Sequence, residues 1–252
     1  MPDRSAFFVE SIQPMESLLL AHPLGGLFTG QLFQGVDGAL TSLELRDFGN
    51  GPLVLNSEQI ARLFMAPDQS LVRVMRVADQ SDGSPAGISV RSDNPFVQPG
   101  QPVEVIAYRS ESGASLQISN LHVRRLMLNH LAPKRWCTVA FGLMAVTAYR
   151  LAFREVTLYA AGRGPAAPAD PDEFVGFLVW PKLGFDAPLA PVDLQGAQHL
   201  QRCRWVQDVM AVDPGWWAEH GVGREMSFDL NPDSRSWRIL LDYIYAALEV
   251  TP

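Results

Sequence analysis

Four segments of strand-like composition precede one apolar helical segment and a further strand, and this order constrains the fold most strongly. Residues 70–79, 87–97, 102–110 and 115–123 are β-rich or alternate between apolar and polar side chains. Residues 138–153 place apolar side chains at spacings of three and four, which predicts a helix. Residues 155–162 predict the next strand. Such an order indicates a mixed α/β fold.

The fourth of these strands has one irregular step. In "SLQISNLHV" the alternation breaks between Asn120 and Leu121, which predicts a β-bulge there.

Shorter helices are predicted on both sides of this central run. Residues 56–67 predict a helix capped by Asn56 or Ser57, and residues 234–248 predict a final helix capped by Ser234. Residues 173–189 predict a short helix that enters a sharp turn. We expect residues 1–80 to form an N-terminal extension packed on the core, and residues 81–252 to form the main domain with an aromatic-rich C-terminal part.

Composition narrows the class of protein. The chain has 252 residues, 47% of them hydrophobic, which is enough to bury a core, and its net charge of −7 argues against a nucleic-acid binder. Its two cysteines form no CxxC pair and no Cys/His cluster with zinc spacing, so we expect no metal site. With no signal-like N-terminus and no apolar stretch of about 20 residues, the sequence predicts a cytoplasmic protein without a membrane partner.

Two motifs resemble the GNAT superfamily of N-acetyltransferases. The first is "SLQISNLHV" followed by the loop, the helix 138–153 and "EVTLYAAG"; the second is the turn "WPKLGFDAPL". The resemblance implies a GNAT-like mixed sheet flanked by helices on both sides, with an N-terminal extension. The Trp-Pro form of the turn is similar to GNAT-like domains attached to large bacterial proteins, including polymorphic toxins.

The resemblance also implies an activity: an acyl-CoA-dependent N-acetyltransferase that uses acetyl-CoA and an unknown amine or protein acceptor. It places backbone contacts to the cofactor at Leu121 and Val123. It places the phosphate-binding loop at five positions, which are Lys134, Arg135, Trp136, Cys137 and Thr138.

This loop departs from the family pattern. The family has glycines at alternate positions, so that helix N-terminal N–H groups can approach a pyrophosphate. Here Arg135 and Cys137 stand where glycines are expected, and Pro133 has no N–H. Three interpretations follow: side chains of Lys134, Arg135 and Thr138 bind the phosphates, the pocket is blocked and the fold serves binding only, or the alignment of the loop is shifted.

The set of catalytic residues that the family uses is also incomplete in this sequence. Where the family often has a tyrosine acid this chain has Trp180, whose indole N–H is too weak an acid. His122 is the best candidate for the general base, and its alternative is a half-buried strand residue. Cys137 at a helix N-terminus is a further, weaker candidate nucleophile. Glu225, with the acidic residues that follow it, is interpreted as structural.

Three functions therefore remain open: the enzyme, a catalytically inactive GNAT-like domain acting as a protein-binding or effector module, and a small-molecule binder that uses the same cleft. An enzyme predicts an open cleft between strands 115–123 and 155–162, with the N–H groups of residues 134–138 facing it. A binding module predicts that Arg135 or Trp136 fills the cleft, and that Trp216 and Trp217 form an exposed apolar patch.

Overall fold

A computed structural model describes residues 3–35, 38–46, 51–78, 82–109, 118–165 and 174–248. In these ranges the strands are β1 (Phe33–Gln34), β2 (Gly38–Ala39), β3 (Ser42–Leu45), β4 (Leu53–Asn56), β5 (Leu71–Val77), β6 (Gly87–Asp93), β7 (Val103–Arg109), β8 (Ile118–Arg125), β9 (Glu155–Arg163) and β10 (Val222–Asp229). The helices are α1 (Arg4–Phe7), α2 (Gln13–Ala21), α3 (Ser57–Leu63), α4 (Trp136–Arg150), α5 (Gly176–Lys182), α6 (Val206–Val212), α7 (Pro214–His220) and α8 (Arg235–Leu248). A π-helical turn joins α1 to α2.

One mixed sheet organises the molecule. Its strand order is β10-β9-β8-β7-β6-β5-β1-β2, and β3 pairs with β4 in a separate two-stranded sheet. Strands β5 to β8 are antiparallel neighbours, β8 and β9 are parallel, and β10 returns antiparallel to β9. The α4 crossover is what makes the β8–β9 pair parallel. The predicted mixed α/β class is confirmed.

The irregularity in β8 lies close to the predicted position but not at it. Register shifts occur between Tyr108 and Arg109 and between Glu104 and Val105 of the partner strand β7. Between them Asn120 to Val123 keep strict alternation, with Leu121 and Val123 in the hydrophobic core. The Asn120–Leu121 step is therefore regular, and the bulge precedes it at Ser119.

Helix α4 is the centre of the hydrophobic core. Thirteen of its fifteen residues are buried, so neighbours must surround it on all sides. Helices α2, α3 and α8 contact it, and Phe141 packs edge-on against Trp180 of α5 at 6.0 Å between ring centroids. At Gly142 a Cβ atom would lie 2.9 Å from Leu19 and 3.0 Å from Ile244, so a glycine permits this close packing. Helices flank the sheet, as the sequence predicted.

The N-terminal segment is part of this core. Glu16 of α2 pairs with Arg150 of α4 at 2.5 Å, and the Tyr149 hydroxyl donates to the carbonyl of Arg4. Strands β5 and β6, which lie on opposite sides of residue 80, pair along their full length. The proposed domain boundary at residue 80 stays a prediction, and it falls between two paired strands.

The helix caps at Asn56 and Ser234 agree with those predicted from the sequence. Asn56 and Gln59 form a reciprocal capping box at α3. The Ser234 hydroxyl accepts from the N–H of Trp237 at the start of α8.

Replacing Trp136 tests how strongly the start of α4 is anchored. Trp136 is fully buried between Phe28 and Phe96, and its indole N–H has no hydrogen-bond partner in the described part of the chain. We expect Trp136→Ala to lower the free energy of unfolding by about 3–5 kcal/mol, and Trp136→Phe by half of that or less. Urea unfolding measures both, with the exposed Leu131→Ala as the control. Equal, small losses in all three variants would contradict the packing described.

Candidate functional site

The face of the sheet opposite α4 is polar. Because side chains alternate along a strand, Leu121 and Val123 point into the core and His122 points the other way. Tyr108 of β7, Asn120 of β8 and Thr157 of β9 lie on this same polar face and bond to one another or to His122. A row of hydrogen-bonding side chains thus crosses three neighbouring strands.

A cavity of about 1120 Å³ lies on this face. Its volume slightly exceeds the range of about 300–1,000 Å³ that small-molecule sites usually occupy. Every described residue that lines it belongs to a strand or to a connecting loop. The polar and charged lining residues are Arg46, Arg76, Tyr108, Arg109, Asn120, His122, Glu155, Thr157, Asp186, Glu225 and Ser227.

The loop between β5 and β6 folds back over the polar face. Asp82 in this loop pairs with Arg124 of β8 at 2.9 Å. A Cβ atom at the neighbouring Gly83 would lie 3.7 Å from the Glu225 carboxylate on β10. Gly83, Pro85 and Ala86 of the same loop line the cavity. The loop therefore walls the cavity on the side away from the sheet.

Beneath this loop lies a compensated charge cluster. Glu104 is fully buried and accepts from the Ser89 hydroxyl at 2.8 Å, while Arg91 and Arg124 lie 3.2 Å away. Burial favours the neutral acid, but the Ser89 hydrogen bond and the two guanidinium charges outweigh it and lower the pKa of Glu104. Burial acts in the same sense at Asp82, yet bonds from Ser84 and Arg124 lower its pKa to about 2. The tether between loop and sheet therefore stays ionised at neutral pH.

His122 is a neutral imidazole in this setting. It is 9% exposed, and its Nδ1 lies 3.0 Å from the Thr157 hydroxyl. Burial, helped by the charge of Arg124, lowers the pKa of His122 to about 4, against the opposing charges of Asp82 and Glu104. Its Nε2 has no hydrogen-bond partner among the described residues. A lone pair or an N–H at Nε2 is thus available to a ligand in the cavity.

Tyr108 and Glu155 are displaced in pKa in the opposite direction. Burial, with the charges of Glu155 and Glu225, raises the pKa of Tyr108. Burial, with the charge of Asp229, raises the pKa of Glu155. Asn120 connects the two, since its side-chain amide lies 3.2 Å from Glu155 and 3.5 Å from the Tyr108 hydroxyl. Titratable groups whose pKa values are shifted by a shared cavity are characteristic of sites that move protons.

The predicted phosphate loop lies elsewhere. Lys134 and Arg135 are exposed, and Arg135 adopts a left-handed conformation with φ of 68° at the N-cap of α4. The N–H of Trp136 donates to the Pro133 carbonyl, and Trp136 packs into the core. Thr138 is buried and Cys137 is half-buried. Among the described residues that line the cavity, none comes from positions 134–138.

The surroundings of the other candidate residues also differ from what the sequence predicted. Burial raises the pKa of Cys137 to about 12, so its thiol is not an activated nucleophile, contrary to the effect expected of a helix N-terminus. Trp180 is buried between Phe141 and Phe185. Tyr149 bonds to Arg4 in the core, and Tyr159 is 59% exposed. Neither tyrosine lines the cavity, whereas Tyr108 does.

Strands β8 and β9 pair over a short length and then separate. Their parallel register runs from Asn120–Glu155 to Val123–Leu158. Beyond it β8 continues to Arg125 beside β7, and β9 continues to Arg163 beside β10. Val175 forms an isolated bridge with Gly162 further along β9. Val123 and Leu158 form the last cross-strand pair, directly after His122 and Thr157. Because His122, Thr157 and Leu158 line the cavity, the strands diverge beside it.

The aromatic cluster near the C-terminus is mostly core. Trp217 and Trp237 are fully buried, and the Trp217 indole donates to the Phe177 carbonyl. Trp216 is half-buried and stacks on His220 at 4.9 Å. The expected exposed patch around Trp216 and Trp217 is not formed by these two residues.

Sequence reasoning missed Tyr108, Glu155 and Glu225 as site residues. Each is a polar residue at an alternate strand position, and this pattern by itself indicates a solvated sheet face. A signal was present in the strand order, because parallel β8 and β9 bring Asn120 beside Glu155. Glu225, interpreted as structural, lines the cavity instead.

Other site types find no support in the described ranges. They contain no group of three His, Cys, Asp or Glu side chains arranged to hold a metal, and no helix with the length and apolarity that crossing a membrane requires. No family model, curated protein or solved structure matches this chain.

The pKa of His122 predicts how stability depends on pH. The unfolded chain binds a proton at His122 near pH 6.5, whereas the folded protein does so only near pH 4. Between these values the unfolded state holds more protons, so stability falls as the pH is lowered. From pH 7 to pH 5 this one group should destabilise the fold by about 2 kcal/mol.

Urea unfolding of wild type and His122→Gln at both pH values measures this contribution. The variant should lose about 2 kcal/mol less than wild type between pH 7 and pH 5. His130→Gln, at an exposed histidine, is the control and should behave like wild type. If wild type and His122→Gln lose equal stability, His122 is not held neutral by burial.

Proposed function

We propose that this protein is a GNAT-like, acyl-CoA-dependent N-acyltransferase that acts on an amine in the cavity beside His122. The observation that carries the proposal is the β8–α4–β9 crossover, whose parallel strands stop pairing after Val123–Leu158, one residue beyond the His122–Thr157 pair. The separation provides a path between strands to a polar cavity that holds groups able to exchange protons. Acyl transfer to an amine needs both features.

The residues of the cavity have distinct roles in this proposal. An amine must lose a proton before or during attack on a thioester. The pKa of Glu155 is raised, which brings this carboxylate closer to neutral pH than an ordinary glutamate, so we assign it as the proton acceptor. His122, with a pKa of about 4, is a weak base, and it holds the amine by accepting an N–H at Nε2.

Tyr108 is the proposed proton donor. Its hydroxyl is held by Thr157 at 3.2 Å and lines the cavity. Burial raises its pKa, so the phenol is protonated at neutral pH. Transfer of its proton to the leaving thiolate works against that raised pKa, and solvent then reprotonates the tyrosinate. Tyr108 would act as the general acid, the role that a tyrosine at the position of Trp180 often has in the family.

The start of α4 fits coenzyme A in part. A backbone cradle is poor, because Pro133 has no N–H, the N–H of Trp136 is used within the turn, and residues 134–138 include no glycine. A grip by side chains fits better, because Lys134 and Arg135 are exposed at the N-terminal end of a fifteen-residue helix. Lys134 and Arg135 would hold the phosphates, and the bound cofactor would supply the thioester.

A thermal-melt titration with acetyl-CoA, confirmed by calorimetry, tests cofactor binding. Ligand at 100 times its Kd adds about 2.7 kcal/mol, which for a protein of this size raises Tm by about 5–10 °C. Arg135→Glu should weaken the affinity at least tenfold, by reversing a charge beside the phosphates, and the exposed Arg238→Glu on α8 should not. No Tm shift at millimolar acetyl-CoA would refute the proposed cofactor.

Removing the proposed base tests the chemistry. With an amine substrate in hand, Glu155→Gln should lower kcat by about 10²–10⁴, because the amide cannot accept the proton. The control is Glu219→Gln, at an exposed glutamate on α7. Retained turnover in Glu155→Gln, followed as thiol release, would remove Glu155 from this role.

A second candidate is a catalytically inactive GNAT-like domain that binds a protein or acts as an effector module. The observation that favours it is the packing of Trp136, which fixes the start of α4 as a structural element rather than a phosphate cradle. Acetyl-CoA binding distinguishes the two, since the inactive domain would not bind it.

A further inference from the structure

We propose that Thr157 is a positioning residue that fixes the tautomer of His122, so that the imidazole carries its proton on Nδ1 and offers the lone pair of Nε2 to the cavity. The inference deepens the proposed function and rests on it in one respect: the ligand group at Nε2 is there the acceptor amine. The tautomer itself follows from hydrogen-bond geometry, and it can be measured without any ligand.

The Thr157 hydroxyl has three hydrogen-bonding neighbours. Its oxygen lies 3.0 Å from Nδ1 of His122 and 3.2 Å from the hydroxyl of Tyr108. It also lies 3.4 Å from the main-chain carbonyl oxygen of Leu121. A hydroxyl has one O–H and two lone pairs, so it makes three hydrogen bonds only by donating once and accepting twice. The direction of the single Thr157 O–H therefore decides the direction of all three bonds.

The Leu121 carbonyl fixes that direction. A carbonyl oxygen can only accept, so this bond forms only when Thr157 donates to it. His122 and Tyr108 must then donate to the Thr157 oxygen, through Nδ1–H and the phenol O–H. If Thr157 donated to Nδ1 instead, its oxygen would face the Leu121 carbonyl without a hydrogen between them. That arrangement has one hydrogen bond fewer, which disfavours it.

Asn120 supports the same direction at Tyr108. Its side-chain amide donates to the Glu155 carboxylate at 3.2 Å and to the Tyr108 hydroxyl oxygen at 3.5 Å. Its amide oxygen accepts from the Ser119 hydroxyl at 3.0 Å. A Tyr108 oxygen that accepts from Asn120 keeps its own O–H for Thr157. The donors therefore point in one direction, from Asn120 through Tyr108 to the Thr157 oxygen.

This arrangement decides which ligand groups can pair with His122. The side chain lines the cavity, and its Nδ1–H is taken up by Thr157. Nε2 then has a lone pair and no proton, so it pairs with an N–H or O–H of a ligand and not with a carbonyl or ether oxygen. In the proposed reaction the acceptor amine donates one N–H to Nε2 while Glu155 accepts another of its protons. The opposite tautomer would place two N–H groups against each other.

The same network is compatible with proton donation by Tyr108. The hydrogen of a hydroxyl turns about its C–O bond, so the phenol can direct it from Thr157 to a leaving thiolate. Thr157 then keeps its bonds to the Leu121 carbonyl and to Nδ1–H of His122. The tautomer of His122 is therefore the same before and after the transfer.

Long-range proton–nitrogen NMR spectra of protein with ¹⁵N-labelled histidine test the inference, because a protonated and a bare ring nitrogen differ strongly in chemical shift. At pH 8 the imidazoles are neutral. His122, identified among the five histidines by the signal missing from His122→Gln, should carry its proton on Nδ1 in about fivefold excess or more. The exposed His130 is the internal reference, since the Nε2–H tautomer predominates in water. An Nε2–H ring at His122 of the wild type would by itself overturn the proposal.

Three threonine variants identify the cause of the tautomer. Thr157→Val removes the hydroxyl and keeps the branched shape, so the proton should move to Nε2; Thr157→Ser keeps the hydroxyl and should retain the wild-type tautomer. Thr147→Val is the matched control, because the Thr147 hydroxyl also donates to a main-chain carbonyl, that of Leu143, but lies on α4. An unchanged ring in Thr157→Val, or the same change in Thr147→Val, would show that Thr157 does not set the tautomer of His122.

The NMR spectra and the acetyl-CoA titration are separate measurements, so the two proposals fail separately. A protein that binds acetyl-CoA but has an Nε2–H ring at His122 refutes the role of Thr157 and leaves the acyltransferase. A protein with the Nδ1–H ring that does not bind acetyl-CoA refutes the acyltransferase and leaves the role of Thr157.

Discussion

The burial of α4 on all sides determines the rest of the architecture. A helix with thirteen of fifteen residues buried needs apolar neighbours around its whole circumference. The sheet provides one side, and α2, α3, α5 and α8 provide the others. This is why the N-terminal segment, which lies outside the GNAT resemblance, is built into the core: without α2 and α3, two sides of α4 would face water.

Among the described residues that line the cavity on the other face of the sheet, none belongs to a helix. That face carries polar residues at alternate positions, and the loop after β5 folds over part of it. A buried carboxylate such as Glu104 is tolerated there because Ser89, Arg91 and Arg124 compensate its charge. The same cluster holds Asp82 through Arg124, so the wall of the cavity and the stability of the sheet face depend on one set of ion pairs.

Local sequence signals predicted the elements that local physics determines. The capping residues Asn56 and Ser234, the helix that became α4 and the strand that became β9 were all readable, because caps and periodicity act within a few residues. Two features were not. The helices over residues 4–21 were not predicted, and the bulge at Ser119 was placed one step late, because both depend on partners distant in sequence.

The candidate site was predictable only in part, for the same reason. His122 was identified because it lies on a strand that carries the family resemblance, but its partner Thr157 is 35 residues away in sequence. Tyr108 and Glu155 carry no motif, and they become site residues only when β7, β8 and β9 stand side by side. Cys137 shows the converse: its place at a helix N-terminus made it a weak candidate nucleophile in the sequence, but burial raises the pKa of its thiol.

The C-terminal end of β8 and the middle of the strand therefore carry different kinds of evidence about function. At its C-terminal end, where the family would bind phosphate, Trp136 is committed to packing and only the charges of Lys134 and Arg135 are suited to an anion. In its middle, Asn120 and His122 face a walled cavity with perturbed titratable groups. Packing Trp136 at the start of α4 stabilises the fold through hydrophobic burial. Keeping the His122 imidazole neutral, by contrast, lowers the stability of the fold below pH 6.5. A pKa that a cavity shifts strongly is one mark of a candidate functional site. We therefore propose the polar face, more than the loop before α4, as the candidate functional site.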